Sequence, residues 1–332
     1  MIGGVYPLVA LGLIFGCTQV PSNEESQSSE LLLLDLTPSY EWSEEEIRGA
    51  VNTARAGRSL QPAGWPDGGK VAVSFSFDVD NETIPLRNGS LSVGALSQGE
   101  YGARVALGRV LDVLAEDDIP ASFFIPSVSM MLNPGMVDAI KSYGIHEFGI
   151  HGWIHETNTQ LSEDVERRLV VQAIEYMEEM TGSRPMGYRA PSWNFSQNTL
   201  KILQDLGFLY DSSLMADDRP YELLAEGEPS GLVELPVEWI LDDAPLLNPR
   251  GNTYSSPREL LQVYKDEFDV AYEEGTMFLL TMHPHVIGHR SRILILKELI
   301  GYIKQKDENV WFATHQEIAE YVIQMSEEGG LR

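Results

Sequence analysis

From Gly69 onward the 332-residue chain alternates short apolar runs with capped amphipathic segments, and this alternation limits the folds open to it. Residues 71–77, 121–125, 147–150, 187–190, 233–239 and 277–282 read as strands. The segments between them carry helix start and stop signals. Pro134 stands at a first turn, with Gly144 after the last. Ser162 opens a helix that ends at Gly182, and Ser196 one that ends at Gly207. Ser256-Pro257-Arg258-Glu259 is a capping box with proline at the first helical position, and Gly275 ends that helix. Parallel neighbours need crossover connections, so repeated strand-helix units predict a parallel sheet. This many units in one domain favour an α/β barrel over an open sheet. With no internal repeat or linker visible, residues 69–325 read as one catalytic domain.

The N-terminal part reads differently. An apolar run over residues 5–15 is short for a bilayer span and suits a signal-peptide core ending at Cys17, the one cysteine. Ile14-Phe15-Gly16-Cys17 resembles a lipobox, although Phe15 is bulky and no Lys or Arg precedes the run. The expectation is export to the periplasm or cell surface, with membrane anchoring only through a lipidated Cys17 at the mature N-terminus. The alternative is an uncleaved apolar start with a buried cysteine. The Ser/Glu-rich stretch 18–36 cannot bury enough apolar surface to fold and reads as a tether. A short helix follows in the 18–68 segment: Ser43 caps it, Glu46 completes the capping box, Ile47, Ala50, Val51 and Ala54 form one face, and Gly57 closes it. A net charge of −27 spread along the chain repels nucleic acid and anionic lipid, which excludes both as partners.

The chemically useful residues gather where these units meet. Asp78 and Asp80 end the first run, His151 and His155 follow the third, Arg189 ends the fourth, Asp242 follows the fifth and His283 follows the last. Barrels place their active sites at the C-terminal ends of strands. Six of seven histidines (His146, His151, His155, His283, His285, His289) fall in two such segments, whereas core histidines would scatter. His151 and His155 lie about one helical turn apart, so both imidazoles could share an ion. With Asp80 they make two His and one carboxylate, the ligand set of a catalytic divalent metal; zinc is the default, and cobalt, manganese and iron also fit. The alternative is a histidine pair on a helix surface.

Over residues 69–321 these motifs resemble the polysaccharide deacetylase family, the NodB-homology carbohydrate esterases, in the branch holding peptidoglycan-deacetylase-like and allantoinase-like amidohydrolases. The matching segments are Phe77-Asp78-Val79-Asp80, His151 to His155 followed by Glu156, Arg189-Ala190-Pro191-Ser192-Trp193, Asp242 at the place of a fourth motif, and Leu280-Thr281-Met282-His283-Pro284. Tyr210 to Leu214 and Asp217 to Tyr221 also look like this branch. Gly288-His289-Arg290-Ser291-Arg292 departs from its usual Gly-Arg-Pro-x-Arg, and His285 is an additional histidine.

The resemblance implies a distorted (β/α) barrel of about seven strands and a homo-oligomer, a tetramer. It further implies that Asp78 is the general base, with orientation of a ligand as the alternative, and that Arg189 keeps this base ionised. His283 would be the general acid, oriented by Asp242. Trp193 would wall an acyl pocket or belong to the core, and Trp193, Pro191, Tyr221 and His285 are the candidate substrate contacts. His285 and Asp243 read equally as exposed loop residues, and no role is assigned to His289. The expected activity is metal-dependent hydrolysis of non-peptide C–N bonds, with peptidoglycan or a related N-acetylated glycan as substrate. Hydrolysis of a small cyclic amide or imide, as in allantoinase-like relatives, uses the same chemistry. A glycan-binding lipoprotein on an inactive scaffold is the remaining alternative.

Overall fold

The computed structural model describes residues 38–247, 255–306 and 309–332. The signal-peptide and lipidation expectations at 1–17 and the tether at 18–36 lie outside the described residues. Among the described residues no helix is long and apolar enough to cross a membrane.

Ten strands form one sheet: β1 (Ala54–Ser59), β2 (Val71–Asp78), β3 (Ala121–Ile125), β4 (Glu147–Ile150), β5 (Gly187–Tyr188), β6 (Tyr210–Asp211), β7 (Tyr221–Ala225), β8 (Glu228–Glu234), β9 (Met277–Met282) and β10 (Val310–Phe312). Their order is β1-β7-β8-β6-β5-β4-β3-β2, with β9 and β10 both on β2. Pairings from β8 through β2 to β9 and β10 are parallel, and β7 and β1 add an antiparallel edge. Beyond β8 the chain returns so that Asp242 bridges Thr281 on β9, curling the sheet towards a barrel. The parallel strands β2–β6 and β8–β10 form the distorted barrel that the family resemblance implies, eight strands where about seven were expected.

β2 is the central strand, and all eight of its residues are buried. Buried on both faces, it carries no polar alternation beyond small serines, as parallel strands do. β9 runs along one edge of β2, from Ala72 to Phe77. The other edge is divided, with β10 pairing Val71 to Val73 and β3 taking over from Phe75. Outer helices bury single stripes. In Glu163–Thr181 the stripe is Val170, Ala173, Ile174 and Met177, the i, i+3, i+4, i+7 spacing of one helical face. That helix starts after Ser162 and ends at Gly182 in the left-handed conformation, as expected.

Several expected boundaries move. The short helix is Glu44–Asn52 and buries none of its residues; Ile47 and Val51 are about half exposed, 48% and 49%. Gly57 does not end it but lies within β1, where a Cβ would meet the Glu222 carbonyl at 2.8 Å. Close approach of β7 is therefore the reason for glycine here, and the sheet begins at Ala54, ahead of Gly69. The helix expected from Ser196 begins at Thr199 with Asn198 as its cap; the Ser196 hydroxyl donates to Glu166 and accepts the Asn198 backbone N–H just ahead of it. The 233–239 run is displaced to Glu228–Glu234, since Pro236 follows. β6, β7 and β10 were not expected; two of them are only two or three residues long.

Candidate active site

The C-terminal ends of the parallel strands surround a cleft of about 420 Å³ lined by Asp78, Asp80, Ile84, Arg87, His151, His155, Ser192, Trp193, Trp239, Asp242, Ala244, Pro245, His283 and His285. Asp78 is the last residue of β2. The extended backbone continues, with Val79 N–H donating to the Phe124 carbonyl, so Val79 drops into the core while Asp78 and Asp80 both reach the cleft. Asn81 then adopts a left-handed conformation, and the chain turns into the helix Thr83–Arg87.

His151 and His155 reach the cleft from a loop, not a helix. Gly152 (φ 75°) and His155 (φ 63°) are both left-handed. The Glu156 carboxylate accepts from the backbone N–H groups of Trp153 and Ile154, which ties the loop into a tight turn. A Cβ at Gly152 would meet Pro191 at 2.8 Å and Glu156 at 3.0 Å. The two rings nevertheless converge: each Nε2 lies 3.5 Å from Asp80 Oδ1.

Those distances suit a metal. Ligand atoms about 2.1 Å from a tetrahedral ion lie roughly 3.4 Å apart. Asp80 Oδ1 is buried and has no hydrogen-bond partner in the protein, an arrangement that is costly unless a cation meets it. Burial first, then the neighbouring Asp78 and Asp242 charges, raise Asp80 to about 7. Burial lowers His151 to about 4 and His155 well below the ordinary range, so both rings are neutral. His151 Nδ1–H donates to the Arg189 carbonyl at 2.8 Å, which leaves Nε2 as a lone-pair donor towards the cleft. The Arg87 guanidinium donates to the His155 carbonyl oxygen and to Ser192 Oγ, and also to His155 Nδ1, which puts the neutral ring's proton on Nε2; an ion at Nε2 would require that proton to leave or the Arg87 contact to break.

Arg189 is fully buried and donates to Asp78 Oδ1 at 2.8 Å. Burial acts to raise the Asp78 pKa, but Arg189, His151 and His283 together outweigh it, and the net shift is downward. Asp78 is therefore an ionised carboxylate in a dry site.

On the other side, His283 Nε2 lies 3.9 Å from Asp78 Oδ2 and 3.8 Å from Asp80 Oδ2. Its Nδ1–H donates to Asp243 Oδ1 at 2.8 Å, and Asp243 also accepts from the His283 backbone N–H. The orienting residue is thus Asp243, not Asp242, whose carboxylate is 3.6 Å from Nδ1 and lines the cleft. Consecutive residues face opposite ways here, and sequence alone cannot say which faces the ring. Asp243 is fully buried, so the exposed-loop reading does not hold for it. Burial lowers the His283 pKa, but Asp242, Asp243 and Asp80 override it, and the imidazole is held protonated well above its usual range.

Other expected residues fall elsewhere. Tyr221 is in β7, 1% exposed, with its hydroxyl accepting from Ala216 N–H, and it is a core residue. Pro191 is buried beneath the cleft floor against Gly152; the left-handed Ser192 and Trp193 after it supply the lining. Trp193 does line the cleft, and it packs on Trp239 with ring centroids 4.1 Å apart. His285 lines the cleft with its ring 5.8 Å from that of His283. His289 stacks on Tyr101 away from the lining, and His146 precedes β4, at the opposite end of that strand from His151. Sequence reading gave no role to Arg87, which carries no motif, to Trp239, which it placed beside Asp242 at the fourth motif, or to His315.

A family model described as polysaccharide deacetylase matches residues 100–210. A peptidoglycan deacetylase from Helicobacter pylori is 29% identical over 282 residues, covering 76% of this chain and 96% of that protein. A crystal structure from Mycobacterium smegmatis, assigned as a polysaccharide deacetylase, has 36% identity and a TM-score of 0.76, covering 82% of this chain and 96% of that one. The Puue allantoinase crystal structure has 25% identity and a TM-score of 0.70, over 80% and 93% of the two chains. The identity and coverage of these matches make the chain a member of the polysaccharide deacetylase family and a hydrolase of non-peptide carbon–nitrogen bonds.

Proposed function

We propose that the protein is a metal-dependent N-deacetylase of peptidoglycan or a related N-acetylated glycan, exported to where such polymers lie. The observation that supports this best is the convergence, in one cleft, of Asp80, His151 and His155 with an ionised Asp78 and a protonated His283. A divalent ion held by Asp80, His151 and His155, zinc by default, would supply Lewis acidity to the amide carbonyl and acidify water. Asp78 takes the proton from the attacking water, and its lowered pKa follows from Arg189. His283 donates a proton from Nε2 to the departing nitrogen, with Asp243 fixing Nδ1–H and hence the ring plane. Trp193 and Trp239 pack on each other at one side of the cleft and would face the acyl group there.

The likeness to an allantoinase supports a second reading, hydrolysis of a small cyclic amide or imide, and a cleft of about 420 Å³ has room for one. Acetate release from peptidoglycan and chitooligosaccharides, measured beside ring opening of allantoin and simple imides, separates the two. Turnover of imides alone would overturn the deacetylase reading. A tetramer and zinc as the resident ion belong to the same proposal; light scattering and elemental analysis test them.

The alkaline limb of the pH–rate profile is assigned to His283. Its folded pKa is raised, so the acid form persists as pH climbs past the ordinary histidine value and is lost only above the folded pKa. Asp242→Asn is expected to move that limb to lower pH, because an approaching negative charge is removed. His283→Ala is expected to remove it and to slow amides more than activated esters, whose leaving groups need little protonation. Equal slowing of both substrate types would argue that His283 only positions the substrate.

A further inference from the structure

We infer that His315, at the first turn of the C-terminal helix, is a positioning residue that holds the Arg189 guanidinium in the one orientation in which it faces Asp78. The inference rests on the reading above that Asp78 is the base. His315 lies 126 positions or more from Asp78, Asp80, His151, His155 and Arg189 in sequence, and it is fully buried.

The opening for His315 is made by the divided edge of β2. β10 accompanies β2 as far as Val73, and β3 joins at Phe75. Ser74 lies between, and its hydroxyl is 2.8 Å from His315 Nδ1. Arginine can only donate, so the 3.2 Å contact from Arg189 Nη2 requires His315 Nε2 to be the acceptor. The ring proton is then on Nδ1 and is donated to Ser74 Oγ. Burial, and then the Arg189 charge, keep the ring neutral.

All five guanidinium donors are thereby placed. Nε donates to the Ser212 carbonyl, Nη1 to Ser76 Oγ and Asp78 Oδ1, and Nη2 to Ser212 Oγ and His315 Nε2. The Phe124 ring covers one face of the guanidinium at 4.1 Å. The Nη2–His315 bond is the contact to Arg189 from beyond residue 212, and it opposes tilting of the fork about Nε. His315 is itself fixed. Its backbone N–H donates to Ser122 Oγ, the next N–H of the helix donates to the Glu147 carboxylate, and Glu147 also accepts from Ser122 and Tyr210. Thr314 and Glu317 close the helix start with a reciprocal capping box. The C-terminal helix is thus coupled through one imidazole to the side chain that polarises the base.

The test compares His315→Leu, which cannot accept a hydrogen bond, with His315→Gln, whose amide oxygen can. The expected result for Leu is a fall in kcat of about 10- to 100-fold, the range for a partner outside the ligand shell, with KM and metal content unchanged. Gln should recover much of the loss. In an Arg189→Lys background His315→Leu should cost little more, because the residue acts through the guanidinium. Ser74→Ala, which keeps the imidazole and removes only the hydroxyl that fixes its tautomer, should show a smaller kcat loss with the same dependence on Arg189, and it serves if the leucine variant does not fold.

Additive losses, a change confined to KM, or a glutamine variant no better than leucine would overturn the assignment. A readout without substrate separates this from failure of the deacetylase reading. In ¹⁵N-labelled wild-type protein the Arg189 guanidinium protons should be slowly exchanging and individually resolved, with His315 as the neutral Nδ1–H tautomer. In His315→Leu those arginine signals should average. Averaged signals in the wild type would overturn the inference whatever the substrate proves to be.

Discussion

Replacing His151 and His155 together with alanine is expected to abolish hydrolysis and remove the bound divalent ion in one step. Each ring places its Nε2 3.5 Å from Asp80 Oδ1, so on the proposed reading the pair would supply two of the three protein ligands. An aspartate alone cannot outcompete water for the ion. Thermal unfolding gives an independent check. An ion that binds only the folded state at a hundredfold excess over its Kd stabilises by about 2.7 kcal/mol, and this increment should vanish in the double variant. The fold itself should survive, because the loop is held by Glu156 and by the backbone bonds of Gly152 and Trp153 carbonyls to Ser127 and Val128, none of which involves the rings. Full metal occupancy in the double variant, measured by elemental analysis, would refute the ligand assignment.

Asp78→Asn is expected to retain the ion but lose roughly 10²- to 10⁴-fold in kcat, the range for a general acid or base. The substitution keeps the shape of the side chain and removes its capacity to take a proton. It also leaves the Arg189 charge without its carboxylate partner, and breaking a buried pair commonly costs about 3–5 kcal/mol. Four other acceptors remain on the guanidinium, so the stability loss should fall at or below the lower end of that range. The metal measurement decides the role. His151 Nε2 is 3.6 Å from Asp78 Oδ2 and 3.5 Å from Asp80 Oδ1, so distance alone barely distinguishes base from ligand. What distinguishes them is their other contacts: Asp78 Oδ1 is engaged by Arg189, whereas Asp80 Oδ1, the oxygen that faces both histidines, has no protein hydrogen-bond partner. Loss of metal in step with activity would make Asp78 a ligand.

The parts of the fold legible in sequence were those where local chemistry and tertiary context agree. β3, β4 and β9 are apolar runs bounded by polar turns and end where expected. Short strands such as β6 and β10 carry no periodicity to detect and exist because neighbours supply their hydrogen bonds. In the cleft, residues at strand ends were found by position. Their roles could not be separated where neighbours compete, as with Asp242 and Asp243, because the direction of a side chain after a strand depends on one backbone torsion. The spacing of His151 and His155 suggested a helical turn, whereas the rings converge through two left-handed residues that no periodicity encodes. Tyr221 and Pro191 were assigned from motif neighbours and belong to the core. His315 was invisible because its partners, Ser74 and Arg189, are 241 and 126 positions away.

The divided edge of β2 also bears on the order in which the molecule can form. The strand that ends in Asp78 has partners drawn from β3, some 45 residues on, but also from β9 and β10, which lie more than 200 residues later. Pairings this distant close large loops before they are rewarded, which slows folding. During synthesis, the aspartates and both histidines leave the ribosome long before β9, β10 and His315. The cleft therefore cannot assemble while the chain is still growing. A nascent polypeptide carries Asp78, Asp80, His151 and His155 without the geometry to use them, and the cleft is complete only when nearly the whole chain is present.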